Sequence, residues 1–147
     1  MPRRGTEHSV GYDLYAKKAS YEAYELSDNS FNVVFDTGVR IAPEDGYWCE
    51  ACPNSRLVKV ELMMPNSKGV IDPDYRGTIK VALRGLSPLS DDVINYLLDI
   101  KEQRRPAAQL IFHRMIPCEF EQVETIESLG ETERGEGGFG STERKQK

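Results

Sequence analysis

The sequence predicts an all-β fold, a sandwich or barrel with little helix, on three observations. Short runs rich in β-branched and aromatic residues recur along the chain. Glycine- or proline-bearing turns separate them. Apolar and polar residues alternate within several of the runs. Many short strands joined in this way have to close into a sandwich or a barrel to cover their apolar faces. At 147 residues the chain fits one domain with a workable core.

Taken in order, Phe31-Asn32-Val33-Val34-Phe35 is β-rich, Asp36-Thr37-Gly38 reads as a turn, and Val39-Arg40-Ile41 as the next strand. Pro43-Glu44-Asp45-Gly46 is a strong turn, after which Tyr47-Trp48-Cys49 is extended. Leu57–Leu62 mixes apolar, polar and β-branched residues and reads as a strand, and Thr78–Leu83 alternates in the same way. Late strands are expected at Ala108–Phe112 and Phe120–Val123. One segment reads differently. Ser90 is a candidate helix cap followed by Asp91 and Asp92, and Val93, Leu97 and Ile100 fall on one helical stripe.

Composition narrows the function. Lys and Arg number 19 against 24 Asp and Glu, a net charge of −5. Non-specific nucleic-acid binding rests on basic residues neutralising phosphates, so no nucleic-acid partner is expected. No apolar run approaches the roughly 18 residues of a membrane helix, so none is expected to span a bilayer. Three cysteines argue against a disulfide framework and point to an intracellular setting, cytoplasm or nucleus. Cys49-Glu50-Ala51-Cys52 has metal-ligand spacing, but His113 and Cys118 do not form a tight second pair. The plainer reading is two half-buried strand residues.

Two segments carry candidate chemistry. In Gly69-Val70-Ile71-Asp72-Pro73-Asp74-Tyr75-Arg76-Gly77 a strand leads into a Pro73-Asp74 turn flanked by acids, an aromatic and a base. Such a hairpin can pin one carboxylate where it accepts a proton from water. From Gly130 to Lys147 Phe139 is the lone apolar residue, a composition typical of a disordered terminus. Within it, Arg134-Gly135-Glu136-Gly137-Gly138-Phe139-Gly140-Ser141-Thr142 gathers glycines whose backbone N–H groups can converge on an anion. Gly135 and Gly140 have P-loop spacing, but Ser141 stands where the lysine belongs and no strand and helix flank it. A flexible arm closing over a triphosphate fits better.

These segments resemble the motifs of the homotrimeric dUTPases, which carry five short motifs in fixed order. Gly11-Tyr12-Asp13-Leu14-Tyr15 is similar to the first motif, Gly69–Gly77 to the third, and Arg134–Thr142 to the fifth. Asp36–Ala42 resembles the stretch leading toward the second. Two motifs depart. The second, usually Pro-Arg-Ser-Gly-Leu, reads Pro53-Asn54-Ser55-Arg56-Leu57, so the arginine is lost and a side chain stands where a glycine allows close backbone approach. The fourth, usually Gly-Asp-Arg-Ile-Ala-Gln-Leu, reads Arg104-Arg105-Pro106-Ala107-Ala108-Gln109-Leu110. The chain between motifs three and four is also longer than usual.

The resemblance implies a β-barrel or jelly-roll-like domain over residues 1–130 and a flexible Gly-rich C-terminal arm over 131–147. It places a strand near Leu97–Ile100, which would shorten the helix to Asp91–Tyr96. It implies hydrolysis of dUTP to dUMP and pyrophosphate, with Asp72 as the general base and Mg²⁺ on the phosphates, reached by Asp13 through a water. The hairpin main chain at Gly69 and Ile71 would read uracil, and Tyr75 would lie against the deoxyribose. Ser55, Gln109, Arg134, Gly138, Gly140 and Ser141 would hold phosphates, and Phe139 would cover the base. The motifs of one site come from different subunits in the family, so a homotrimer is implied. The departures in motifs two and four keep a second reading open: a dUTPase-derived nucleotide-binding or protein-interaction module with weakened or lost catalysis. A dCTP deaminase on the related fold is the third.

Overall fold

The computed structural model describes residues 1–18, 20–26, 30–85 and 90–138. The chain divides into two compact units, Met1–Ile116 and Pro117–Lys147. The first holds two antiparallel sheets. One runs β1 (Arg3–Arg4), β2 (Tyr12–Leu14), β9 (Ala108–Arg114), β5 (Tyr47–Cys52), β7 (Gly69–Ile71). The other runs β3 (Tyr21–Glu25), β4 (Phe31–Asp36), β8 (Lys80–Gly85), β6 (Leu62–Met63). The all-β fold is therefore as expected.

Period-two alternation sets the register. Along β4, Phe31, Val33 and Phe35 are buried while their neighbours are half-buried. Opposite them in β8 stand Gly85, Leu83 and Val81. Phe35, Leu83 and Val81, with Leu14, Ile79, Ile100 and Leu110, are among the largest fully buried side chains of the core. A one-residue slip would turn the whole set to solvent. Gly85 is required here, because the Phe31 ring fills the space a Cβ would take.

The strands expected at Phe31–Phe35, Tyr47–Cys49, Thr78–Leu83 and Ala108–Phe112 are present, with shifted ends. Three expected strands are not. Val39–Ile41 lies outside the regular strands; one backbone bond, from the Ile79 amide to the Val39 carbonyl (2.9 Å), ties it to the core after the turn at Gly38. In place of the strand expected at Leu57–Leu62, Ser55–Lys59 is a 3-10 turn and only Leu62 joins a strand, β6, because the Asn54 side chain accepts from the Arg56 amide (3.1 Å) and Leu57 drops into the core. Phe120–Val123 pairs with no strand among the described residues, and Phe120 is 98% exposed. Cys49 and Cys52 both lie in β5. Three residues apart, they point to opposite sides of the sheet and cannot share one ion easily.

The segment at Ser90 is helix throughout: α1 spans Asp91–Lys101, so the strand that the resemblance placed at Leu97–Ile100 is absent. Local physics prevails. The Ser90 hydroxyl accepts from the Val93 amide (3.4 Å), Asp91 and Asp92 face the positive end of the dipole, and Val93, Tyr96 and Ile100 are buried. At the other end Gln103 takes a left-handed φ of 60°. Its side-chain amide then donates to the Ala16 carbonyl (2.7 Å). Asp99 receives Arg104 Nε at 2.7 Å and Arg105 Nε at 2.8 Å.

Those two guanidinium groups, Arg105 foremost, hold the Asp99 carboxyl below its ordinary value. The stabilisation they give is present above the unfolded carboxyl value of about 4. It fades as pH falls through the lowered folded value. Asp99→Asn is therefore expected to cost stability at neutral pH and to flatten the acid limb of a melting-temperature curve against pH. A variant curve parallel to that of the unaltered chain would refute the assignment.

No helix among the described residues is long and apolar enough to cross a membrane. Among the described residues the second unit contains one 3-10 turn, Ile126–Leu129, and tight turns around Gly135.

Candidate active site

The third motif folds as a braced loop. β7 pairs with β5, with Gly69 opposite Ala51 and Ile71 opposite Cys49. The chain then turns through Pro73-Asp74, closed by the Tyr75 amide donating to the Asp72 carbonyl (3.1 Å). Arg76 reaches back, its Nη1 donating to the carbonyls of Pro73 (2.6 Å) and Tyr75 (3.2 Å). Arg40 donates to the Arg76 carbonyl, and Thr78 donates to Asp36 Oδ2 (3.3 Å). The Tyr75 hydroxyl donates to the Thr78 carbonyl (3.1 Å), which lays the ring over Gly77 in the space a Cβ would need. Thus Gly77 is fixed by the aromatic it lies beneath.

Asp72 is exposed and has no ion-pair partner among the described residues. The two arginines of the loop network, Arg40 and Arg76, each direct a terminal nitrogen to carbonyl oxygens, and neither forms an ion pair with Asp72. The loop is held without neutralising the carboxylate it presents.

A second patch forms where motifs one, two and four meet. Asp13 in β2 faces Gln109 in β9, and Gln109 faces Cys52 in β5. Directly opposed residues share a face, so these side chains form one row across the sheet. Gln109 lies over Gly11, where a Cβ would collide with its amide, and its Nε2 donates to the Pro53 carbonyl (3.2 Å). That contact ties the fourth motif to the chain just before Ser55, which is exposed at the start of the 3-10 turn. Asp13 is half-buried.

Sequence reasoning missed two contributors. Arg3 faces Asp13 across β1–β2 and stands over the Tyr15 ring, 5.0 Å from its centroid. Arg40 is the other. The basic start was legible, but its pairing to β2 is non-local. Arg40 belongs to a stretch whose likeness to the family was visible, without any sign that it braces the third motif.

The departures in motifs two and four converge on α1. Asn54 Oδ1 also accepts from the Tyr96 hydroxyl (3.3 Å), while its Nδ2 donates to the Pro106 carbonyl (3.3 Å). The Arg104-Arg105 pair caps α1 through Asp99. The altered residues therefore secure the helix that the longer connection supplies.

The two patches lie apart in one chain. Ile71 faces Cys49, so Asp72 lies beyond the Trp48 end, whereas Gln109 faces Cys52. Four strand residues at ~3.3 Å each put about 13 Å between them along the strands alone. In the second unit Arg134 Nε donates to the Gly137 carbonyl (2.7 Å), and Gly138 is exposed. Phe139, Gly140 and Ser141 lie outside the described residues.

Comparison with known proteins identifies the family. The dUTPase family model matches residues 1–143. The deoxyuridine 5'-triphosphate nucleotidohydrolase of Rickettsia massiliae is 38% identical over 145 residues, covering 97% of this chain and 87% of that protein. The enzyme of the same name from Yarrowia lipolytica is 36% identical over 141 residues, covering 96% and 80%. Among solved structures, the dUTPase of Staphylococcus bacteriophage 80alpha with dUpNHpp superposes with a TM-score of 0.70 at 24% identity, covering 97% and 90%. By its match over nearly the whole length and by these relatives, the chain belongs to the dUTPase family, enzymes that hydrolyse deoxyuridine triphosphate.

Proposed function

We propose that this chain cleaves dUTP to dUMP and pyrophosphate by water attack on the α-phosphorus, with Asp72 as the general base. The observation that carries this reading is the Asp72 carboxylate, exposed and unpaired on a loop whose arginines are committed elsewhere. A carboxylate so kept can take a proton from water as the new oxygen–phosphorus bond forms and the bond to the β-phosphate breaks. Tyr75, its hydroxyl held by Thr78, offers a ring face to the deoxyribose, and the main chain of Gly69 and Ile71 reads uracil. Ser55 and Gln109 hold phosphates. The arm brings Arg134, Gly138, Gly140 and Ser141 to the phosphate chain, and Phe139 to the base.

Asp13 is the carboxylate of its row, and no group of three or more His, Cys, Asp or Glu able to hold an ion occurs among the described residues. One carboxylate suits Mg²⁺ carried chiefly by substrate phosphates and water, with Asp13 reaching it through a water. The ion would neutralise phosphate charge. The spacing between the Asp72 loop and the Asp13–Gln109 row supports a site shared by copies of the chain, as in a homotrimer.

Release of pyrophosphate from dUTP with Mg²⁺ is the expected result for the full chain. Nucleotide binding by calorimetry without any release would sink the catalytic reading. It would favour a binding module, which the mutual engagement of Asn54 and the Arg56 amide also supports.

A further inference from the structure

We infer that the Arg56 guanidinium grips the substrate's phosphate chain beside Ser55, a task that position 54 cannot perform in this protein. The inference rests on reading Ser55 and Gln109 as phosphate-side residues. Asn54 has both polar atoms spent, its Oδ1 on the Arg56 amide and the Tyr96 hydroxyl, its Nδ2 on the Pro106 carbonyl. The Arg56 amide is thereby taken as well. Beside Pro53, whose carbonyl Gln109 holds, the Ser55 hydroxyl and the Arg56 side chain are the nearest groups of this turn along the chain that can meet an anion.

Arg56 is exposed, and its guanidinium has no ion-pair partner among the described residues. This contrasts with Arg104 and Arg105, which share Asp99. Lys59, equally unpaired, stands three residues on, where side chains of a 3-10 turn eclipse. Both border a cleft of about 270 Å³ between this turn and α1, with Tyr96 and Asn95 on its other side. Asp92 and Asp99 also line the cleft, but Asp99 is neutralised by its two arginines. Against them stands one unpaired carboxylate, Asp92, while Arg105 adds a further cation, so the cleft's cations outnumber its unneutralised acids, which suits a polyanion, and the planar fork of arginine matches paired phosphate oxygens.

The test compares Arg56→Ala and Arg56→Lys with the unaltered full chain for binding of inorganic pyrophosphate and of deoxyuridine, and for KM and kcat with dUTP. Losing a charge-assisted bidentate contact is expected to weaken pyrophosphate binding and raise KM for dUTP by about 10- to 100-fold in Arg56→Ala. Arg56→Lys should recover part of the loss, and deoxyuridine binding and melting temperature should stay the same. A merely structural role would instead move deoxyuridine binding and melting temperature together with the rest. Unchanged pyrophosphate binding in Arg56→Ala overturns the inference even if dUTP turnover is intact. So does failure of the unaltered chain to bind pyrophosphate. An unaltered chain that binds pyrophosphate through Arg56 but never cleaves dUTP would sink the catalytic reading alone.

Discussion

Replacing Asp72 by Asn is expected to lower kcat for dUTP by about 10²–10⁴, the usual share of a positioned general base. The substitution keeps size and hydrogen-bonding capacity but removes the group that takes the proton. Among the described residues, no hydrogen bond or ion pair rests on the Asp72 side chain. The loop is closed by its carbonyl, which accepts from the Tyr75 amide, and braced by Arg76 and Arg40 on other carbonyls. Melting temperature and KM should therefore hardly move. Single-turnover pyrophosphate release separates the outcomes. Loss confined to kcat supports the base, whereas loss shared by KM and stability would reassign Asp72 to the architecture of the loop.

The largest stability effect is expected from Ile100→Ala. Ile100 is 0% exposed and lies on the buried stripe of α1 with Val93 and Tyr96. Truncating a fully buried isoleucine removes transfer energy and leaves a cavity, for a cost of about 2–5 kcal/mol. For a chain of this size that corresponds to a fall of roughly 10 °C in melting temperature. Because Asn54 bonds to Tyr96 and to Pro106, the loosened helix should also weaken the second motif and raise KM for dUTP. Calorimetric melting at fixed protein concentration measures the first effect and steady-state kinetics the second. A melting temperature unchanged by the substitution would show that α1 packs only marginally.

α1 also marks where the sequence was most and least legible. Its cap, acids and apolar stripe are local signals, and they specified the helix against a family expectation of strand at Leu97–Ile100. The strands with alternating burial were legible for the same reason. Leu57 was not, because a 3-10 turn and a short strand can bury the same apolar residues, and the side-chain cap from Asn54 decided between them. Val39–Ile41 has strand composition, but the turn at Gly38 leaves it one backbone bond to Ile79 rather than a ladder. Of the proposed site, Asp72, Tyr75 and Gln109 were legible through the resemblance of their segments to the family motifs. The bracing by Arg40, the pairing of Arg3 with β2 and the use of Asn54 as a clamp are contacts distant in sequence, and spacing carries no trace of them.

β9 lies between β2 and β5, with Gln109 in the row that includes Asp13 while Ala108 and Leu110 are buried on the other face. Adjacent positions of one strand thus serve two masters, the row proposed to meet the ligand and hydrophobic cohesion, with no residue between them to absorb an error. A single insertion or deletion in this strand cannot impair one without impairing the other. The connection before it, where α1 lies, carries no such double constraint.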